Sequence, residues 1–353
     1  ADTGDVGHSA APSGLRGRCT FVGRNGMMDQ LMTSEPSLPA LPAGIAVPAV
    51  IAARGEKASW RYVEFFAANI RNPNTRAAYA RAASGFFGWC ERLGLSLAGI
   101  QPVHVAAWVE ELGREGRAAP TIKQQLAGVR MLFDWLVVGQ VVPHNPAAAV
   151  RGPRHSMAKG KTHMPSRDEA KALIAAIDTS TLVGLRDRAL IGTLLYTFAR
   201  VSAATAMRVS DYYPVGRRWW VRLHEKGGKE HEMPAHHTLQ EWLDAYLEAA
   251  AIADDRKGYL FRTGDRRTGR LTDKPLSQAD AYRMIQRRAE AAGVATRIGC
   301  HSWRARGITA YLENGGLLEH AQQMAAHASA RTTKLYDRRG EAISLDEVER
   351  IML

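Results

Sequence analysis

Apolar residues first fall into a regular pattern near Trp60, and from there the spacing is helical. Over 74–93 the residues Tyr79, Ala83, Phe86, Phe87, Trp89 and Cys90 mark one side of a 3.6-residue period. Arg76 and Arg81 fall off that side, Asn74 or Thr75 serves as N-cap, and Gly94 as the stop. A shorter helix is predicted over 103–112. A longer one follows over 119–138, with Pro120 in its first turn and Leu126, Val129, Leu132, Phe133 and Leu136 on its apolar side. Pro143 and Pro146 close this all-helical block.

A second patterned region opens at Ser166, which with Glu169 has the spacing of a capping box. Helices are expected over 167–177, 186–199, 236–252, 277–292, 302–313 and 317–326. One β segment interrupts them: 219–225 alternates, Gly227 and Gly228 make a tight turn, and 230–233 returns, with 211–213 as an additional strand. The last stretch, 344–353, reads as an amphipathic helix opened by Ser344 and Glu347. The fold expected is therefore mainly α: a helical N-terminal domain, then a mixed, mostly α domain holding a small antiparallel sheet. The boundaries predicted are a flexible tail at 1–58 interrupted by Pro36, Pro39, Pro42 and Pro48, domains at 59–150 and 166–353, and a linker at 151–165.

Charge sharpens this picture. The 353 residues carry a formal net charge of +12, which favours a polyanionic partner. The stretch 151–164 contains Arg154, His155, Lys159, Lys161 and His163 and no acid. It suits a solvated linker, or one that crosses a DNA backbone where Arg154, Lys159 and Lys161 displace counterions. On the first block Arg76, Arg81, Lys123, Gln124 and Arg130 are candidate groove or backbone contacts. Three cysteines, Cys19, Cys90 and Cys300, form no CxxC pair, so neither a disulfide framework nor a zinc site is expected. No apolar run reaches membrane length and the start lacks a signal pattern, which leaves the cytoplasm as the expected compartment.

Six side chains after the linker carry the candidate chemistry: Arg200, Lys226, His301, Arg304, His327 and Tyr336. Each alone is unremarkable. Arg200 ends an apolar helix, Lys226 sits on a hairpin tip, His301 and Arg304 share a helix face, and His327 suits a core or cap. In this order, with Ala199-Arg200-Val201-Ser202, then His301-Ser302-Trp303-Arg304, then His327 with Tyr336 nine residues on, the set resembles the tyrosine recombinase (phage integrase, Xer-like) family. The resemblance spans roughly residues 60 to 353 and includes the first helical block, which is similar to the family's core-binding domain.

The residue types suit that family's reaction. Strand exchange without ATP must keep the bond energy in a covalent intermediate, which the Tyr336 phenol provides. Arg200 and Arg304 can fork N–H groups onto phosphate oxygens and stabilise the charge of a five-coordinate transition state. Lys226 suits protonation of the leaving 5′ oxygen, His301 the role of base, and His327 that of a phosphate hydrogen-bond donor. No metal or other cofactor is called for. The resemblance further implies a 3′-phosphotyrosine, a Holliday junction, double-stranded DNA with inverted-repeat core sites, and a homo-tetramer that exchanges the C-terminal helix between protomers. Type IB topoisomerase-like relaxation and a non-catalytic DNA-binding regulator of recombinase descent are the alternatives. One departure favours the latter: where the family carries an acid three residues after the first arginine, this chain has Ala203.

Overall fold

A computed structural model describes residues 46–155, 162–225, 228–265 and 267–337, and the chain divides into two compact units at the boundary between His155 and Ser156. The expected tail at 1–45, the C-terminal helix at 344–353, and Lys159, Lys161 and Lys226 lie outside the described residues.

The first unit is helical, as the period implied: α1 (Ala49–Ala52), α2 (Glu56–Glu64) running into a π turn (Phe65–Asn69), α3 (Pro73–Arg92), α4 (Pro102–Arg114) and α5 (Ala119–Val138). Helix α1 lies before residue 58, where the tail was expected to end. Val50 and Ile51 are buried in the unit's core, so this segment has apolar surface to bury despite its proline-rich approach. The N-cap of α3 is Asn72 rather than Asn74 or Thr75. Its Oδ1 accepts the N–H groups of Asn74 (2.9 Å) and Thr75 (3.3 Å), and Pro73 fits the first turn, where an N–H is not needed. The core is aromatic. Phe86 meets Trp108 edge-on at 5.1 Å and Phe133 at 6.0 Å, which ties α3 to α4 and α5.

The second unit holds α6 (Arg167–Ala175), α7 (Leu182–Tyr196), α8 (Val201–Ala206), β1 (Tyr212–Val215), β2 (Arg218–Glu225), β3 (Lys229–Pro234), α9 (His237–Ala250), β4 (Arg262–Gly264), β5 (Leu271–Pro275), α10 (Gln278–Ala291), α11 (Cys300–Glu313), α12 (Leu318–Met324) and α13 (Ala330–Lys334). The capping box at α6 forms: Ser166 Oγ accepts from Glu169 N at 3.1 Å, and Glu169 Oε2 from Ser166 N at 2.8 Å. The antiparallel sheet runs β1-β2-β3, with Val221 opposite both Tyr212 and Met233, and Glu225 opposite Lys229. Its apolar face joins α7 and α9 in a core of Leu190, Leu194, Leu223, Leu243 and Tyr246.

Three features depart from the expected pattern. The helix predicted to run through 199 stops at Tyr196, because Phe198 adopts a left-handed conformation (φ 53°). Arg200 therefore does not end α7; it stands at the N-cap of α8. A second sheet, β4-β5, pairs two short polar strands that lack the alternation a strand usually shows. The five-residue α13 is too short to impose a period on the sequence.

Glycine matters most at Gly307. A Cβ there would lie 2.0 Å from the Leu195 carbonyl oxygen and 2.9 Å from the Phe198 ring, so α11 can approach α7 this closely only without a side chain. We expect Gly307→Ala to lower the stability of the second unit by about 1–3 kcal/mol through overpacking. Gly88→Ala, in α3 with open space at the Cβ position, should raise that of the first by about 0.5–1 kcal/mol. Thermal unfolding of the two variants measures both shifts, and equal shifts would contradict the packing argument.

Candidate active site

Five of the six predicted residues are described, and His301, Arg304, His327 and Tyr336 come together in the second unit with Arg200 at their edge. α11 begins beneath Gly299, whose N–H donates to Ser302 Oγ at 3.0 Å, and it carries His301 and Arg304 one turn apart. Arg304 is 1 % exposed. Its Nη1 donates to the Phe198 carbonyl, and its Nη2 donates to the Ala325 carbonyl at 2.5 Å and lies 2.8 Å from His327 Nε2. The left-handed turn at Phe198 thus presents a carbonyl to the buried guanidinium. Arg304 Nε is buried and has no hydrogen-bond acceptor among the described residues. Burial and the neighbouring Arg200 bring the Arg304 pKa down to about 10, which still leaves it charged at neutral pH.

His327 follows α12 through a Schellman-type turn. Its N–H donates to the Gln322 carbonyl at 3.1 Å and that of Ala326, at φ 46°, to Gln323 at 2.9 Å. A guanidinium only donates, so His327 Nε2 is the acceptor from Arg304, and Nδ1 carries the proton toward Thr333 Oγ1 at 2.9 Å. Both ring nitrogens are therefore engaged within the protein. In this arrangement neither ring nitrogen is free for the phosphate-donor role expected of His327, and the ring accepts from Arg304. Burial, then Arg304, Arg200 and His301, bring its pKa down to about 4.

Tyr336 lies just past α13, largely buried, with its ring stacked on His327 at 5.8 Å and an interplanar angle of 12°. Both ends of the residue are held by α11. Thr309 Oγ1 donates to the Tyr336 carbonyl at 2.9 Å, and the phenol oxygen lies 2.8 Å from His301 Nε2. Burial raises the phenol pKa, while Arg304 and Arg200 pull it down in part. Burial and the same two arginines lower that of His301, so its imidazole is neutral at pH 7 and Nε2 can accept the phenol proton.

Arg200 is half-exposed at the edge of this cluster, and its Nη1 donates to the buried Glu225 carboxylate on β2. Lys226 is the next residue along the chain. Glu225, Thr309 and Thr333 were not singled out from the sequence. The two threonines sit inside helices with no pattern to mark them, whereas Glu225 adjoins the lysine already named. Cys300 is buried with its thiol pKa pushed up to about 11, which leaves it inert beside His301. No group of three or more His, Cys, Asp or Glu able to hold a metal occurs among the described residues.

The candidate DNA contacts of the first unit divide. Arg76 donates through Nε and Nη2 to the Ile70 carbonyl (3.0 and 2.8 Å), and Arg130 donates to the carbonyls of Ala147 (3.1 Å) and Val150 (2.7 Å). Both guanidiniums are occupied in holding their own fold. Arg81, Lys123 and Arg154 are exposed, and Gln124 is half-buried with its Nε2 buried and unpartnered among the described residues.

Residues 166–341 match the phage integrase family and 61–139 the phage integrase N-terminal SAM-like domain. A tyrosine recombinase XerD of Corynebacterium glutamicum is 31% identical over 277 residues, covering 74% of this chain and 86% of that protein. The chain belongs to the tyrosine recombinase family. It is thus a DNA strand-exchange enzyme, as its motif order implied. Another XerD, from Chlorobaculum tepidum, is 27% identical across 74% of this chain and 85% of its own length. Among solved structures, the recombinase fold is shared with XerH bound to a palindromic difH substrate (TM-score 0.63, 19% identity, 88% of this chain and 91% of that one). It is shared also with a lambda integrase dimer bound to a core site (TM-score 0.61, 20% identity, 80% and 94%). In this recombinase no helix among the described residues is long and apolar enough to cross a membrane.

The buried histidine gives the recombinase a pH signature. Unfolded, His327 takes up a proton near 6.5; folded, it resists until about 4. The unfolded state therefore binds more protons between those values, and stability should fall as pH drops through that window, by roughly 3 kcal/mol at most from this group. Chemical denaturation from pH 7 to 4 measures the slope. His327→Gln should flatten it, and an unchanged slope would show that the titrating group lies elsewhere.

Proposed function

We propose that this recombinase cuts and rejoins double-stranded DNA at specific core sites through a bond between Tyr336 and the 3′ phosphate. The observation that carries the reading is the Tyr336 hydroxyl placed 2.8 Å from a neutral His301 Nε2, beside the buried guanidinium of Arg304. In the reaction proposed, the Tyr336 oxygen bonds to phosphorus as its proton passes to His301. The bond from phosphorus to the 5′ oxygen breaks, and Lys226 delivers a proton to that oxygen. Arg200 and Arg304 take the nonbridging oxygens. The unpaired Arg304 Nε–H supports this, since a buried donor without an acceptor is costly and a phosphate oxygen would satisfy it. His327 serves by holding Arg304 in plane. Religation reverses the path with the 5′ hydroxyl of a partner strand.

The wider reading is a homo-tetramer on inverted-repeat sites that passes through a Holliday junction, with the 344–353 segment exchanged between protomers. A lambda integrase tetramer bound to a Holliday junction shares the fold (TM-score 0.60, 20% identity, 80% of this chain and 78% of that one), which supports this arrangement. Arg81, Lys123, Gln124, Arg154, Lys159 and Lys161 would contact the DNA, with Arg76 and Arg130 reassigned to structural support. A mobile element, plasmid or chromosome is the proposed setting.

A duplex nicked just beyond the cleavage site traps the covalent species, because the short released strand diffuses away. Wild-type protein should accumulate a protein–DNA adduct resistant to denaturant. Tyr336→Phe should form none while still shifting the site in a gel. Adduct formation by the Phe variant would remove Tyr336 from the role of nucleophile.

A further inference from the structure

The two arginines of the cationic cluster repel each other, and α8 offers them no carboxylate. Ala203, at the position where the resemblance calls for an acid, is 1 % exposed and buried among apolar residues of the second unit's core. A methyl group there cannot neutralise Arg200 or fix its direction. Glu225 meets Arg200 from the other side: it ends β2, is 7 % exposed, and accepts directly from Arg200 Nη1. β2 packs against α8, the helix that Arg200 caps, so the strand brings an anchored carboxylate to the start of that helix. Pairing across the ladder, Glu225 opposite Lys229 and Leu223 opposite His231, fixes the backbone that carries it.

We propose that Glu225 is the positioning residue for Arg200, replacing from β2 the acid that α8 lacks at Ala203. The inference rests on the recombinase reading above.

The physical case has three parts. A long side chain at the edge of a cluster loses much rotamer freedom when it is held, and a preformed ion pair meets that cost before DNA arrives. The guanidinium has five N–H donors. Glu225 uses Nη1, which leaves the Nε–Nη2 edge for two nonbridging phosphate oxygens. Finally, Arg200 and Arg304 repel each other and both depress the imidazoles of His301 and His327. Glu225 offsets part of that field at Arg304, and also at His231, whose Nε2 is buried and unpartnered among the described residues. Among the described residues Glu225 makes its side-chain hydrogen bond to Arg200 and none to the phenol or to His301, so its effect on the reaction passes through Arg200.

The test compares adduct formation on two nicked duplexes. One carries the ordinary scissile phosphate. The other carries a methylphosphonate, in which a methyl group replaces one nonbridging oxygen and removes the negative charge. On the phosphate, Glu225→Gln should slow adduct formation about tenfold to a hundredfold, the scale expected when a phosphate ligand is misplaced by roughly 1 Å, with site binding unchanged. On the neutral methylphosphonate, where an aligned Arg200 matters less, wild type and Glu225→Gln should react alike. Arg200→Ala and the double variant Arg200→Ala/Glu225→Gln should be equally slow on the phosphate. Glu225→Asp, which keeps the charge with a shorter reach, should recover part of the rate, and it provides the same comparison if the Gln variant unfolds. A Glu225→Gln protein as fast as wild type on the phosphate overturns the proposal. So does an equal loss on both substrates, or a double variant slower than Arg200→Ala by the full factor. A wild-type protein that forms no adduct on either duplex fails at a different point, since it removes the recombinase reading beneath the proposal.

Discussion

The second unit is organised around one buried charge. Arg304 sits inside the protein with its guanidinium spread between the Phe198 carbonyl, the Ala325 carbonyl and the His327 ring. Burying a charge without partners costs several kcal/mol, so each of these contacts is a condition for the fold as well as a feature of the site. The left-handed break at Phe198 turns one carbonyl inward, and the turn after α12 presents the other along with the histidine. Gly307 permits the close approach that lets one guanidinium reach both. The departures from regular helix at 198 and 326 are thus explained by a single ion that must be solvated by protein.

From that charge the rest of the cluster follows. His327 must accept from Arg304, which fixes its tautomer and sends its other nitrogen to Thr333. Thr333 lies in α13, and its carbonyl accepts from the Tyr336 N–H just past that helix at 2.9 Å, so the ring position and the phenol position are coupled. Two arginines near the phenol lower its pKa, and burial raises it more. The phenol therefore stays protonated until a base removes the proton, and His301 is kept neutral by burial first and then by the same arginines. Burial thus favours the neutral form of both groups, the phenol with its proton and the imidazole without one.

Much of this was legible in the sequence, for reasons that differ by element. Long helices such as α3, α5 and α9 announce themselves because a buried face imposes a period, and α6 because its cap has a fixed spacing. The hairpin of β2 and β3 was visible through alternation and its glycine pair. The break at Phe198 was not, since a left-handed phenylalanine leaves no local mark and is held in place by a residue 106 positions away. The same holds for the strands β4 and β5, whose pairing is tertiary, and for Thr309, one threonine inside a helix. Arg76 and Arg130 looked like surface cations because sequence shows charge but not the carbonyl it meets. The site residues themselves were recognisable as an ordered set, while their contacts were not: nothing in the sequence shows that both ring nitrogens of His327 meet protein partners.

α11 has a consequence for alignment. It carries His301, Arg304 and Thr309, which meet the phenol, the ring beside it and the backbone of Tyr336 respectively. A rigid helix keeps those three at constant mutual spacing, so any motion of α11 carries the imidazole, the guanidinium and the threonine hydroxyl as one block. Tyr336 is carried instead by the stretch from His327 to Asp337, which meets α11 through the hydrogen bonds at Thr309 and His301. In the recombinase proposed above, the aim of the hydroxyl would depend on a few torsions of that stretch, and the spacing of the groups around it on one helix.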